Sequence, residues 1–369
     1  MSARPILVAL LLTATSGCQT ARFYSQAVSG QWEIVLKRQP IEKVLAEPEA
    51  PEALKRQLRL VSELCAFAER ELHLPAEGQF TRYADLERPF VVWNIYAAPA
   101  YSFEAKSWWY PFVGRLEYQG YFKRELAADY ARRLRAQGLD VFAGGVTAYS
   151  TLGWFNDPVL NTFVDQPASE LADLIFHELA HKRLFIPGDT DFNEAFATSV
   201  AREGVRRWLD QKNEPAGLKH YQGNREAEDQ VIRLILDARD ELRALYATGP
   251  AADEPTLATG KASVIAGLRE RYAQLKQRWP DYHDYDDWIA APINNAQINT
   301  IDTYYELVPG FSARLVELDG DLELFYREIE SLRRKSLSQR REHLAGVAQR
   351  REDGVQETWA TASASQSGK

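Results

Sequence analysis

Residues 169–198 read SELADLIFHELAHKRLFIPGDTDFNEAFAT, and this stretch decides the fold. It contains the HExxH motif His177-Glu178-Leu179-Ala180-His181. Apolar residues recur around the motif at helical spacing, which predicts an amphipathic helix over about 169–184. Because residues four apart share one helix face, the two histidines can bind one Zn²⁺ ion, with Glu178 beside it as a general base. The alternative is an ordinary helix that carries two surface histidines.

A third metal ligand is expected downstream, since a catalytic zinc usually has three protein ligands. The helical pattern breaks at Ile186-Pro187-Gly188-Asp189, and a second helix is predicted over about 191–209. We favour Glu194, in the first turn of that helix, as the third ligand. Two alternatives stay open: Glu194 could close a capping box with Asp191, or the ligand could be Glu203. Nine residues separate the two glutamates, so they lie on roughly opposite helix faces and cannot share one metal.

One aspartate of the first helix also draws attention. Asp173 precedes His177 by four residues, so both lie on the same face. It could accept a hydrogen bond from an imidazole N–H. A solvated aspartate on the helix surface is the preferred interpretation.

Several segments resemble a known family. HELAH, the Pro-Gly turn and Asn193–Ala197 are similar to a bacterial family described as putative aminopeptidases, within the zincin-like metallopeptidases of the gluzincin type. Further similar segments are Gly30–Ile34, Gly120–Phe122, Tyr149–Phe155 and Asn294–Ala296. The resemblance covers about 20–340. It implies a helix-rich α+β, zincin-like domain with a small sheet upstream of the HExxH helix, one zinc per chain, and a peptide or protein substrate.

The N-terminus predicts export. Residues 1–17 combine a basic start, a short apolar run and a small-residue exit, as in a signal peptide. Cys18 follows and resembles a lipidated lipoprotein cysteine, although Thr15 stands where such signals usually carry leucine. The alternative is a secreted protein with an incidental cysteine. By the same resemblance Gln19 suggests the outer membrane, so we expect a lipid-anchored protein of the bacterial cell envelope that faces the periplasm.

Composition limits the domain organisation and the partners. The chain has 369 residues, 45% of them hydrophobic, and a net charge of −8, which argues against nucleic acid as a partner. Cys65 is predicted to be a buried free thiol. We expect a metallopeptidase domain over 18–350 and a disordered tail over 351–369. Within the domain, a strand-containing part is expected at about 80–165, the active-site helices at about 167–210 and a helical part at about 211–350.

The expected substrate cleft lies between a sheet and the motif. Strands are predicted at Phe90–Tyr96 and Val146–Thr151. In zincins an edge strand upstream of the HExxH helix commonly pairs with extended substrate, so we predict substrate contacts from Tyr149, Gly153 and Trp154. Ordinary packing of the two aromatic residues is an equal alternative.

A donor to the oxyanion is also expected in this type of enzyme. The stretch around Tyr304 and Tyr305 resembles the family, and Tyr304 is the better match to the family for the donor. His220 and His283 are alternative donors without a supporting pattern. At least one of these tyrosines is expected to be a core residue.

Most of the remaining chain has a helical pattern. Helices are predicted near 41–45, 54–72, 125–136, 229–246, 261–279 and 311–347, with a loop at 249–259. The function that best fits all of these features is metal-assisted hydrolysis of a peptide bond, by an aminopeptidase or by an endopeptidase of envelope proteins or peptidoglycan peptides. The alternative is a protein that is not an active enzyme: a catalytically silent zinc-binding lipoprotein that serves as a scaffold or regulatory partner.

Overall fold

The structure is a computed structural model that describes residues 23–110, 114–148, 156–247, 253–301, 305 and 307–350. The predicted signal peptide, Cys18 and the tail lie outside these residues. No helix in the described ranges is both long and apolar enough to cross a membrane.

The fold is α+β and rich in helix, with small sheets. The helices are α1 (23–37), α2 (Ile41–Ala46), α3 (Glu52–Leu72), α4 (Arg124–Arg135), α5 (Ala168–Arg183), α6 (Thr190–Gln211), α7 (Pro215–Tyr246), α8 (Glu254–Lys276), α9 (Asp286–Ala290), α10 (Asn295–Ile298), α11 (Val308–Glu317), α12 (Leu322–Ser331) and α13 (337–350). The strands are β1 (Gln39–Pro40), β2 (Arg82–Ala84), β3 (Val92–Pro99), β4 (Trp108–Tyr110), β5 (Gly114–Leu116), β6 (Gln119–Tyr121), β7 (Leu139–Val146) and β8 (Val159–Leu160).

Strands form three small sheets upstream of α5. One has the order β6-β3-β7 and is antiparallel, and a second has the order β1-β2-β8, while β4 and β5 form a hairpin. The predicted strand Val146–Thr151 is wrong in its described part, because β7 ends at Val146 and residues 147–148 are not strand. Its Gly145 pairs with Trp93 in the ladder, and an added Cβ there would lie 2.5 Å from the Phe90 ring. Gly145 is therefore a residue of β7.

The predicted helix over 311–347 is also wrong. The chain forms α11, α12 and α13 there, because Asp319 and Gly320 take left-handed backbone with φ of 51° and 75°. Asp321 then begins α12, where its side chain accepts a hydrogen bond from Leu324 N at 2.9 Å. Two further differences are that α7 already starts at Pro215 and that α1 was not predicted.

The central core packs α5 and α6 together against α3. Phe176 and Phe196 are fully buried within it. At Gly204 of α6 an added Cβ would lie 2.7 Å from both Phe176 and Leu72. Glycine at this position therefore lets the two motif-bearing helices and α3 approach closely, which fixes the relative placement of α5 and α6.

Candidate metal centre

Helix α5 presents the two histidines of the motif on its less buried side. Leu171, Ile175 and Leu179 form a fully buried stripe on the opposite side. With that stripe packed into the core, the side chains of His177 and His181 remain 25% and 8% exposed. Burial of the apolar stripe thus sets the direction in which the histidines point.

The turn after α5 brings the next helix back to the motif. Gly188 takes φ of 81°, a conformation that favours glycine. Asp189 then caps α6, and its side chain accepts a hydrogen bond from Phe192 N at 3.4 Å. Because the helix begins at Thr190, the capping box between Asp191 and Glu194 is wrong, and the carboxylate of Glu194 is directed to the histidines instead.

Three side chains converge at the turn. Glu194 Oε2 lies 3.1 Å from His177 Nε2, and Glu194 Oε1 lies 3.5 Å from His181 Nε2. The two histidine Nε2 atoms are 3.1 Å apart. These three residues are the one group of metal-ligating side chains that the structure brings together within the described ranges.

The distances fit a tetrahedral zinc site. Ligand atoms at about 2.0–2.1 Å from a tetrahedral Zn²⁺ lie about 3.3 Å from one another. The two Nε2 atoms, 3.1 Å apart, lie near that separation, and the Glu194 carboxylate approaches them at 3.1 and 3.5 Å through its two different oxygens. Two imidazole nitrogens and a carboxylate are also a donor set that suits zinc.

Two buried polar atoms beside these side chains have no hydrogen-bond partner in the described part of the chain. They are Glu178 Oε2 and His181 Nδ1. An unpartnered buried carboxylate oxygen is costly unless a ligand or water satisfies it. Glu178 is close enough to His177 for its negative charge to act to raise the pKa of that histidine, so its unpartnered oxygen is a candidate acceptor near the centre.

The electrostatics of the metal-free centre favour a charged pair. Burial acts to lower the pKa of His177, but the hydrogen bond and the negative charge of Glu194 outweigh it and raise that pKa above its ordinary value of 6.5. Burial acts to raise the pKa of Glu194, but its contacts with His177 and His181 lower that pKa far below 4.5. Glu194 is therefore ionised, as a metal ligand must be.

Asp173 is not a solvated surface residue. Its Oδ2 lies 3.3 Å from Arg225 Nη1 of α7, and Arg225 also contacts Glu170 at 3.2 Å and Glu228 at 3.2 Å. Arg202 of α6 joins the same cluster through Glu228 at 3.3 Å. Burial raises the pKa of both Glu170 and Glu228. The cluster ties α5, α6 and α7 together one helical turn before His177.

The rival ligand Glu203 has other partners. Its carboxylate lies 2.7 Å from Arg206 Nε and 2.7 Å from Arg207 Nε. It is not among the three residues that converge at the centre. The alternative that Glu203 binds the metal is therefore wrong for this structure.

Two contacts that the sequence did not indicate hold the start of α6 in place. The buried side chain of Asn193 accepts from Ile186 N and donates to Ile186 O, both at 2.8 Å. Asp189 pairs with Arg340 of α13, whose Nε lies 2.6 Å from Asp189 Oδ2. Partners that lie 7 and 151 residues away leave no local pattern, although Asp189 before a helix is recognisable as an N-cap.

A comparison with family models assigns the chain. The model of the family described as "Putative aminopeptidase" matches residues 22–344. The chain belongs to this family. Comparison with curated proteins and with solved structures gave no match.

Four predicted site residues of this family member lie outside the described residues. They are the expected substrate contacts Tyr149, Gly153 and Trp154 and the expected oxyanion donor Tyr304. Tyr305, the other candidate, packs against a second apolar cluster formed by α7 to α10.

Neither alternative histidine belongs to the group at the centre. His283 contacts Asp286 Oδ2 at 2.7 Å, and His220 contacts Asn224 Nδ2 at 3.4 Å on the exposed surface of α7. The described residues therefore assign no oxyanion donor.

Proposed function

We propose that this chain is a zinc-dependent peptidase in which His177, His181 and Glu194 hold one Zn²⁺ ion. Glu178 is the general base. The observation that carries the proposal is the convergence of the three side chains at 3.1 to 3.5 Å, with α6 placed by its own cap and turn rather than by a metal.

The reaction is hydrolysis of a peptide bond by water. Zinc, when bound, supplies a positive charge that polarises the scissile carbonyl and lowers the pKa of water. Glu178 takes one proton from the attacking water as the new C–O bond forms. It then gives that proton to the amine nitrogen as the C–N bond breaks. The products are a carboxylic acid and an amine, and the acid passes the second proton of the water to the amine, which leaves a carboxylate and an ammonium ion. Glu178 is again ionised.

Aminopeptidase activity is the favoured specificity, and the description of the family supports it. An endopeptidase that acts on envelope proteins or peptidoglycan peptides would use the same four residues. The free Oε2 of Glu178 favours an enzyme over a scaffold, because a structural zinc site does not need an unpartnered carboxylate in addition to its ligands.

The proposed place of action is the periplasmic side of the bacterial envelope. The proposal rests on the signal-like residues 1–17 and on Cys18 as the lipid attachment site. Gln19 favours the outer membrane. More than one acyl chain on Cys18 would give stable anchoring.

The decisive experiment measures bound zinc in the purified wild type, in Glu194→Ala and in the matched control Glu203→Ala. Both glutamates lie on α6, but only one reaches the histidines. We expect one zinc per wild-type chain, about 100-fold weaker binding in Glu194→Ala, and unchanged binding in Glu203→Ala. A wild type without zinc after remetallation would refute the proposal.

A second experiment separates an enzyme from a silent zinc protein. The zinc-loaded wild type is incubated with a peptide library that contains both free and blocked N-termini. Cleavage only of peptides with free N-termini would establish an aminopeptidase, whereas cleavage of blocked peptides would establish an endopeptidase. Zinc binding without any cleavage would leave the scaffold as the function.

A further inference from the structure

Helix α1 exposes a row of apolar side chains, which we call the outer stripe. It consists of Tyr24, Val28, Trp32, Val35 and Leu36, which are 39 to 77% exposed. Their spacing places them within about 120° of the helix circumference. Of the nine large exposed hydrophobic residues in the described chain, these five lie on this single helix. Such clustering marks an interaction surface, whereas single exposed apolar residues are ordinary.

The opposite face of α1 is firmly attached to the protein. The side chain of Gln26 accepts a hydrogen bond from Phe122 N at 2.9 Å. At Gly30 an added Cβ would lie 2.0 Å from the Phe122 ring, so the helix approaches closely. Glu33 pairs with Arg88 at 2.7 Å. The helix is therefore held in a fixed orientation, and the outer stripe is the side that the described residues leave uncovered.

We infer that the outer stripe lies in the surface of a lipid bilayer and orients the protein on the membrane. The inference rests on the proposed lipid anchor at Cys18. Phe23 lies five positions after Cys18, a span of at most about 18 Å. An anchored chain therefore keeps the start of α1 close to the headgroups. Tryptophan and tyrosine with aliphatic neighbours form the composition that favours this interface.

The charges near the outer stripe favour apolar insertion over electrostatic adsorption. The stripe contains no ionisable side chain other than Tyr24. The charges at its flank are paired, Glu33 with Arg88 and Lys37 with Glu87 at 3.2 Å. The whole chain carries a net charge of −8, which opposes attraction to anionic lipid. Binding should therefore occur on zwitterionic vesicles and persist at high salt.

A second copy of the chain is a weaker candidate for covering the stripe. A stable dimer buries about 800 Å² on each partner. Five side chains on one helix face offer less than that. A bilayer has no such minimum, since the gain accumulates with each inserted side chain.

The test uses the chain from residue 18 onward with Cys18→Ser, so that neither a lipid nor the apolar signal-like segment is attached. An environment-sensitive fluorophore is placed on Val28→Cys or on the matched control Val316→Cys, since these valines are 58% and 56% exposed. The free thiol Cys65 is replaced by alanine in every labelled variant, so that the fluorophore attaches at one position only. Phosphatidylcholine vesicles are then added, and quenching by aqueous iodide is measured.

We expect iodide to reach both labels before vesicles are added. Afterwards the label at position 28 should be protected and the label at position 316 should not. The double substitution of Trp32→Ser with Leu36→Ser should weaken vesicle partitioning about tenfold or more, whereas Val316→Ser with Leu324→Ser should change it less than twofold. A label at position 28 that vesicles leave accessible, or that is already protected without them, would overturn the inference.

The lipid anchor is tested separately by the mass of the mature N-terminus of the wild type made in bacteria. A missing lipid together with protection at position 28 would refute the anchor and retain the membrane-facing stripe. A lipidated Cys18 with no protection at position 28 would retain the anchor and refute the stripe.

Discussion

Arg340 forms a buried ion pair with Asp189, the residue that caps the helix carrying Glu194. The Arg340 Nη2 atom lies 2.5 Å from Asp189 Oδ2, and the two side chains are 8% and 3% exposed. Asp189 lies five residues before Glu194. The C-terminal helix α13 therefore holds the end of α6 at which the proposed metal ligand lies.

The first prediction is that Arg340→Met weakens zinc binding as well as stability. Removing one partner leaves a buried, uncompensated Asp189, which should lower the free energy of unfolding by about 3–5 kcal/mol. Because the cap positions the first turns of α6, zinc affinity should fall about tenfold or more. Thermal unfolding and competition with a chromogenic zinc chelator measure the two effects.

Arg341→Met is the matched control for that prediction. Arg341 pairs with Asp191 in the same region, but its side chain is 46% exposed. An exposed pair contributes at most about 1 kcal/mol, so both stability and zinc affinity should stay near those of the wild type. If Arg340→Met loses stability yet keeps full zinc affinity, the ion pair stabilises the fold without positioning Glu194.

The second prediction concerns the loop between the two motif-bearing helices. Asn193→Ala leaves the buried N–H and C=O of Ile186 without the side chain that satisfies both. We expect a loss of about 2–4 kcal/mol in the free energy of unfolding of the metal-free protein. Urea denaturation measures it, with Ser199→Ala as a buried polar control on α6. Ser199 Oγ donates to Ala195 O at 2.8 Å within its own helix, and its approach to Val308 O is only 3.5 Å, so its loss should cost about 1 kcal/mol or less.

The local geometry of the centre was accessible from the sequence, because it follows from helical period. Four-residue spacing places His177 and His181 on one face of α5, and a turn before a helix start brings Glu194 back to them. Glu194 was chosen over Glu203 because it lies in the first turn after the reversing loop, and the opposite facing of the two glutamates excluded that both bind one metal. All of these arguments use contacts within a few residues or across one turn.

What the sequence did not indicate depends on partners far along the chain. Asp173 was interpreted as solvated because its partner Arg225 lies 52 residues away. The break at Asp319-Gly320 was missed, since apolar spacing continues across it and only the backbone angles reverse the chain. Helix α1 was missed because much of its apolar surface faces outward, so it does not show the pattern of a core-facing helix.

The third prediction is that Glu178→Gln separates zinc binding from catalysis. Glutamine keeps the size of the side chain but cannot accept a proton, so turnover should fall by about 10²–10⁴-fold. Zinc content should remain one per chain, because Glu178 is not among the three converging ligands. Measurement of kcat on a cleaved peptide, with metal analysis of the same sample, tests it. Retained turnover would exclude Glu178 as the base.

The fourth prediction is that zinc and protons compete at the centre. The pKa of His177 is raised above 6.5 in the metal-free protein, so its contribution to stability is complete below that pH and is lost as pH rises through the raised value. The pKa of Glu194 is lowered, so its contribution is complete above about 4.5 and is lost only as pH falls through the lowered value. Their pairing therefore stabilises the metal-free protein most between about pH 4.5 and 6.5.

Zinc binding instead stabilises the protein more as pH rises, because zinc binds the neutral imidazole. The difference in Tm between the zinc-loaded and the chelated protein should be smallest near pH 5.5 and should grow as pH rises to 8. Glu194→Gln should remove most of this growth, since it weakens both the proton-linked pair and the zinc site. Glu203→Gln should preserve the growth of the Tm difference, because Glu203 pairs with arginines rather than with the histidines. It is a matched control, since the arginines lower the pKa of this carboxyl too. A Tm difference that stays constant from pH 5.5 to 8 would mean that zinc does not displace a proton from His177.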